Sequence, residues 1–103
     1  MKLVVAEQRD GKLNRATWET IAAAQQLGGA IQVVVLGSGI GAVAAEVAAA
    51  RVDAVLTIDD GALAEYTADG YVTALAAAIG QVQPDVVCLP HTYQTRDFAP
   101  ALA

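Results

Sequence analysis

Cysteine, histidine and aromatic residues are scarce in this 103-residue chain: it has one cysteine and one histidine, and 5% of its residues are aromatic. The lone Cys88 has no partner for an internal disulfide, and its apolar neighbours predict a packed core thiol in a reducing compartment. The lone His91 has no second histidine or nearby carboxylate at the spacing of metal ligands. The sequence therefore predicts no disulfide, no metal site, and a loop histidine that makes a local hydrogen bond.

Basic residues are also few. Six lysines and arginines stand against eleven acidic residues, which gives a net charge of -5. The six are scattered along the chain: Lys2, Arg9, Lys12, Arg15, Arg51 and Arg96. A nucleic-acid surface needs several cations on one face, because charge neutralisation supplies most of the nonspecific affinity. Nucleic acid is therefore not an expected partner.

Long apolar runs are missing as well. The uncharged stretch between Glu19 and Glu46 is interrupted by glutamine and glycine pairs, so it does not reach the roughly 20 apolar residues that cross a bilayer. Met1 and Lys2 lead directly into an apolar run, which leaves no room for a signal or transit peptide. We expect a soluble domain that is not embedded in a membrane and that stays in the cytoplasm.

The chain does have a hydrophobic content of 55%, arranged as alternating strand and helix signals. Short runs of apolar residues predict strands at residues 3–6, 31–36, 54–58 and 86–89. Helical signals follow the first three strands, with Asn14 as the predicted N-cap of the first helix. Strands without polar alternation that are joined by helices are buried on both faces of a parallel sheet. The sequence predicts one domain over residues 1–103, a three-layer α/β fold with an open, mainly parallel sheet.

A glycine-rich turn follows the second predicted strand. It contains Gly37, Gly39 and Gly41, opens a predicted helix, and has Asp59 20 residues after Gly39. This spacing is similar to a dinucleotide-binding fingerprint, in which the backbone approaches a pyrophosphate and the acid holds a ribose hydroxyl. A tight structural turn is the alternative, and we favour it because the motif follows the second strand rather than the first. On that reading, Asp59 belongs to a solvated acidic turn.

Polar residues at the end of the chain open a last predicted helix. Arg96 and Asp97 begin it, and the negative charge of Asp97 would interact favourably with the positive end of the helix dipole. Thr92, Thr95 and the free amides there are suited to contact an anion or a partner protein, and helix capping explains them equally well. No glycine cap or basic last turn closes this helix, so we expect an N-terminal piece of a longer protein.

Several segments in a fixed order carry a resemblance to a known family. They are Val4-Val5-Ala6-Glu7, Asp10-Gly11-Lys12-Leu13-Asn14, Ala16-Thr17, Glu19, Leu27-Gly28-Gly29, Val34-Val35-Leu36-Gly37, Val52-Asp53-Ala54-Val55-Leu56, Pro84-Asp85-Val86-Val87, Thr92 and Arg96-Asp97-Phe98-Ala99-Pro100. With these segments the chain resembles the N-terminal domain of the electron transfer flavoprotein α-subunit. It departs from the family pattern at Arg15, where proline is common, at Trp18, where an aliphatic is usual, and at Thr95, where glycine is frequent.

The resemblance implies a Rossmann-like fold similar to the adenine-nucleotide α-hydrolase type, and a subunit of an electron-carrying heterodimer rather than an enzyme. Such a complex takes electrons from acyl-CoA and related dehydrogenases, as in fatty acid β-oxidation, to a membrane quinone oxidoreductase of the respiratory chain. FAD is expected in a C-terminal domain absent from this chain, and AMP on the β-subunit. The domain is then a scaffold for the β-subunit without catalytic or cofactor-binding residues, and Thr92, Arg96 and Asp97 are candidate contacts to a partner or an anion. The alternative is a small NAD- or AMP-binding module that uses the turn at residues 37–42.

Overall fold

Four parallel strands form the central sheet in a computed structural model that describes residues 1–102. The elements in chain order are β1 (Lys2–Ala6), β2 (Gln8–Arg9), β3 (Lys12–Leu13), α1 (Arg15–Leu27), β4 (Ile31–Gly37), α2 (Gly41–Ala48), β5 (Ala54–Asp59), a 3-10 turn (Gly61–Leu63), α3 (Ala68–Val82), β6 (Val86–Cys88) and α4 (Tyr93–Leu102). The strand order across the sheet is β5-β4-β1-β6, and every neighbouring pair is parallel. The predicted open parallel α/β fold is confirmed.

Helices cover both faces of the sheet. Val4 and Ala6 of β1 belong to a buried cluster with residues of α1 and α2. Helix α2 contributes Val43 and Val47 to this cluster. Leu3 and Val5, which alternate with them along β1, belong to a second cluster, formed with α3 and α4. Successive strand residues point to opposite faces, so a run of apolar residues fills both layers. This arrangement gives the three layers that the sequence predicts.

Local sequence signals fix most element ends. The Oδ1 atom of Asn14 accepts a hydrogen bond of 2.8 Å from the Ala16 amide, so the predicted N-cap of α1 is confirmed. The same helix ends at Leu27, and Gly28 at its C-cap has a φ of 77°, which is favourable mainly for glycine. Four strand boundaries differ from the prediction by one residue each: β1 begins at Lys2, β4 runs on to Gly37, β5 runs on to Asp59, and β6 stops at Cys88.

A short antiparallel hairpin of β2 and β3 follows β1. Asp10 and Gly11 form its tip with φ angles of 53° and 79°. An Asp-Gly pair with both φ angles positive suits the two-residue turn whose twist matches that of the flanking strands. The hairpin lies at the carboxyl end of β1 and forms one wall of the cleft described below.

Candidate functional site

The strand order reverses between β1 and β6, and a cleft opens at their carboxyl ends. Chain connections run from β1 outward through β4 to β5, and then return to the other side of β1. The cleft has a volume of about 500 Å³ and is lined by the β2–β3 hairpin, Glu7, Asn14 and the first residues of α4. Open α/β sheets commonly bind ligands at such a reversal point. This edge of the sheet is therefore the candidate site of the domain.

The carboxylate of Glu7 joins three elements at this reversal point. Thr92 Oγ1 donates a hydrogen bond of 2.6 Å to Glu7 Oε1, and Asn14 Nδ2 donates one of 3.1 Å to Glu7 Oε2. The Glu7 amide also donates to Thr17 Oγ1 at 2.9 Å. The side chain after β1 thus connects the starts of α1 and α4. It also places a negative charge at the edge of the cleft.

The first turn of α4 is capped by its own chain. The Thr95 amide donates to Thr92 Oγ1 at 3.1 Å, and the Arg96 amide donates to the Thr92 carbonyl at 3.1 Å. The helix begins at Tyr93, so the prediction that Arg96 and Asp97 open it is wrong by three residues. The shift occurs because the Thr92 hydroxyl satisfies an amide that would otherwise be unpaired at a helix start.

Asp97 lies in the second turn of α4 and binds a tyrosine rather than the helix start. Its Oδ2 atom accepts a hydrogen bond of 2.7 Å from Tyr66 Oη. Partial burial, and next the hydrogen bond to Asp97, raise the pKa of Tyr66 above its ordinary value. The Tyr66 ring meets the Tyr71 ring edge to face, with their centroids 4.9 Å apart. Burial, and next the charge of Glu7, also raise the pKa of Tyr71.

Arg96 lies on the exposed side of the same helix. Its guanidinium carbon is 5.9 Å from the centre of the Tyr93 ring, and its Nη2 atom donates to His91 Nε2 at 2.9 Å. Because arginine has only donors, His91 is the acceptor of this bond. His91 thus makes the local hydrogen bond that the sequence predicts.

The glycine-rich turn lies between β4 and α2, away from the reversal point. The Asp59 carboxylate accepts hydrogen bonds from the Gly39 amide at 2.9 Å and from the Ile40 amide at 3.3 Å. A Cβ atom on Gly37 would lie 2.7 Å from Ile40 Cγ2 and 2.5 Å from the side chain of Gln8, so glycine is required there for close packing. The turn therefore contains a carboxylate of the same chain at the amides that a phosphate would use.

A comparison with known protein families gives a match over nearly the whole chain. The family profile described as "Electron transfer flavoprotein domain" matches residues 2–103. The chain belongs to the electron transfer flavoprotein family.

Relatives from bacteria agree with this family. The electron transfer flavoprotein subunit alpha of Bacillus subtilis is 39% identical over 103 residues, and that of Syntrophomonas wolfei is 36% identical over 100 residues. These alignments cover 98% and 97% of this chain and 32% of each relative. The acryloyl-CoA reductase electron transfer subunit beta of Anaerotignum propionicum is 30% identical, over 97% of this chain and 28% of its own length. The chain thus spans about a third of the length of its curated relatives.

Within this electron transfer flavoprotein domain, the predicted site residues fall into two groups. Gly37, Gly39 and Asp59 do come together, as their spacing indicated, and Asp59 binds the backbone of the turn. Thr92 and Asp97 are each bonded to another side chain of the domain. Arg96 keeps an exposed guanidinium, so it remains the predicted partner contact whose charge faces outward.

Four residues of this edge were missed as site residues by the sequence analysis. They are Glu7, Gln8, Tyr66 and Tyr93. The first three form hydrogen bonds with residues that are distant in sequence, and Tyr93 is notable for its exposure. Gln8, for example, donates from Nε2 to the Leu36 carbonyl at 3.1 Å and accepts from the Gly11 amide at 3.0 Å. Their one sequence signal is that Glu7 and Gln8 directly follow the first strand.

Other predicted features can be placed on the same fold. Cys88 lies half-buried on β6 as a free thiol against the core. Among residues 1–102, no three histidine, cysteine, aspartate or glutamate side chains gather as a metal ion would need. In this part of the chain, no helix has the length and apolar character to cross a membrane.

Proposed function

We propose that this chain is the N-terminal domain of an electron transfer flavoprotein α-subunit and acts as a scaffold for the β-subunit. In the whole protein, FAD belongs to a further domain of the α-subunit and AMP to the β-subunit. The complex carries electrons from acyl-CoA and related dehydrogenases to a quinone oxidoreductase of the respiratory chain, and it works in the cytoplasm. The domain is not an enzyme by itself. The family match and the α-subunit relatives support this assignment.

The position of Asp59 is the observation that carries the proposal. A nucleotide at the glycine-rich turn would need its phosphate oxygens on the amides of Gly39 and Ile40, and both amides already donate to the Asp59 carboxylate. An entering phosphate would have to displace that carboxylate and would then lie next to its negative charge. The residues of this turn therefore do not fit a dinucleotide.

The reversal point between β1 and β6 does not fit a phosphate either. The Thr95 amide is bonded to Thr92 Oγ1, and Thr92 in turn donates to the carboxylate of Glu7. Like charges at such close range disfavour binding, by several kcal/mol where water is excluded. Both observations support the proposal that FAD and AMP bind to other parts of the complex.

Thermal unfolding with FAD, NAD or AMP tests the proposal. A ligand present at 100 times its dissociation constant stabilises the protein by about 2.7 kcal/mol, which raises the melting temperature of a domain this small by about 10 °C or more. We expect no shift with any of the three, and a stable complex with the β-subunit on gel filtration. A shift with NAD or AMP that Gly39→Val abolishes would instead favour the small nucleotide-binding module at residues 37–42.

A further inference from the structure

We propose that His91, Tyr93 and Arg96 form a docking surface that binds an aspartate or glutamate side chain of the β-subunit. These three residues are called the Arg96 surface below. The inference rests on the proposed function, and it names the contact by which the scaffold would recognise its partner.

The Arg96 guanidinium is held in place before any partner binds. The Tyr93 ring lies beside it at 5.9 Å, and His91 Nε2 accepts one of its hydrogen bonds at 2.9 Å. Arginine has five N–H donors, so most of them remain available. Within residues 1–102, no carboxylate lies within the 4.0 Å of an ion pair with Arg96. A positioned guanidinium loses less conformational entropy when it forms a paired hydrogen bond.

The exposure of Tyr93 points to a protein partner. Its side chain is 90% exposed at the start of α4, although tyrosine can bury a large ring at low entropic cost. Tyrosine and arginine are enriched among the residues that carry most of the binding energy in protein interfaces. An exposed tyrosine that contacts an arginine therefore has the composition of an interface centre.

The space beside these residues fits one side chain. A depression of about 220 Å³ is lined by His91, Thr92, Tyr93 and Arg96. Pockets for whole small-molecule ligands usually measure about 300–1,000 Å³. The depression thus has room for a carboxylate group rather than for a nucleotide.

Local charge favours a carboxylate over a phosphate. The Thr95 amide of the α4 start is already bonded to Thr92, and the Glu7 carboxylate is bonded to the same threonine. A phosphate would bring a larger negative charge toward Glu7. It would gain no hydrogen bond from the Thr95 amide, which already donates to Thr92. A carboxylate can form two parallel hydrogen bonds with the planar guanidinium, and these bonds are charge-assisted.

Calorimetric titration of this chain with the β-subunit from the same organism tests the inference. Arg96→Gln is expected to weaken binding about tenfold or more, the range of a truncated interface centre. Arg51→Gln is the matched control, because it removes the same charge at another exposed position. Arg51 contacts Gln25 through its main-chain carbonyl, which the substitution keeps. Tyr93→Ala should weaken binding, whereas Tyr93→Phe, which keeps the ring, should not.

Three outcomes have distinct meanings. Equal affinity of the wild type, Arg96→Gln and Arg51→Gln for the β-subunit would overturn the Arg96 surface and leave the proposed scaffold function intact. No binding by the wild type would overturn the proposed function, and this inference would fall with it. Inorganic phosphate that perturbs the NMR signals of His91 and blocks β-subunit binding at low salt would assign the depression to a small anion and contradict the carboxylate.

Discussion

Replacing Asp59 with alanine tests whether the chain itself holds the glycine-rich turn. The substitution removes the acceptor of two amide hydrogen bonds, from Gly39 at 2.9 Å and from Ile40 at 3.3 Å. Both amides directly precede α2, so the Asp59 carboxylate holds the backbone of this turn from the neighbouring strand. Without it, the two amides bond only to water, and the start of α2 is less tightly fixed.

The size of the effect follows from the two hydrogen bonds. A hydrogen bond contributes about 0.5–1.5 kcal/mol to stability, and one to a charged group about 1.5–3 kcal/mol. Asp59 is exposed, and its second bond is long, so the lower part of this range applies. We expect a loss of about 1–2 kcal/mol in the free energy of unfolding. For a domain of this size, each kcal/mol lowers the melting temperature by about 4–8 °C.

Urea unfolding followed by circular dichroism measures this loss. The matched control is Glu46→Ala, which removes the same charge from an exposed position on α2 whose side chain makes no hydrogen bond among the described residues. Asp59→Asn keeps one acceptor oxygen and should fall between the wild type and Asp59→Ala. Hydrogen exchange at the Gly39 and Ile40 amides should become faster in Asp59→Ala.

One pattern of results would refute this reasoning. If Asp59→Ala and Glu46→Ala were equally stable, and exchange at the Gly39 amide were unchanged, the carboxylate would not hold the turn. A wild-type affinity for NAD that Asp59→Ala abolishes would go further. It would assign Asp59 to a ribose hydroxyl, as in the dinucleotide-binding alternative.

Three other substitutions test the network around α4. The raised pKa of Tyr66 adds stability that is fully present below its ordinary pKa of 10.0 and is lost as pH rises through the higher folded value. Tyr66→Phe should therefore reduce the loss of unfolding free energy at alkaline pH. Tyr93→Phe, at an exposed position, should leave that loss unchanged. Glu7→Ala leaves two donors without their acceptor and should lower the free energy of unfolding in urea by about 1–3 kcal/mol. Glu7→Gln should lose less. Unchanged stability of Glu7→Ala would contradict the role of Glu7 in joining the starts of α1 and α4. Phe98→Ala removes a ring that is 1% exposed and should cost about 3–5 kcal/mol, and a loss below about 1 kcal/mol would contradict its place in the core.

Much of the fold is predictable because its signals are local. Apolar runs produce the four sheet strands to within one residue, since such segments gain free energy only when both faces are buried. The cap at Asn14 acts over two residues, so the sequence shows where α1 starts. The start of α4 was predicted incorrectly because threonine at position 92 competes as a cap with the later polar residues.

The candidate site is less predictable because its contacts join distant segments. Asp59 reaches Gly39 across 20 residues, and its spacing suggested a ligand contact instead of a bond to the turn. The sequence around Arg96 indicated a contact with a partner or an anion. The exposure of Tyr93 beside it became visible only in the structure. A spacing indicates that residues can meet, but it does not determine which hydrogen bonds they form.

The sequence by itself determined the fold class and the family, because apolar periodicity and the order of short segments are properties of the chain. Only the tertiary structure decided which carboxylate lies at which helix start. Glu7 and Thr92 are 85 residues apart, and Tyr66 and Asp97 are 31 apart. Glu7 and Thr92 meet because β6 returns to the side of β1 opposite β4, which brings the ends of the first and last strands together. Tyr66 and Asp97 meet because α3 and α4 pack into one apolar cluster. That strand order depends on burying all four strands between two helical layers, a free energy summed over the whole domain.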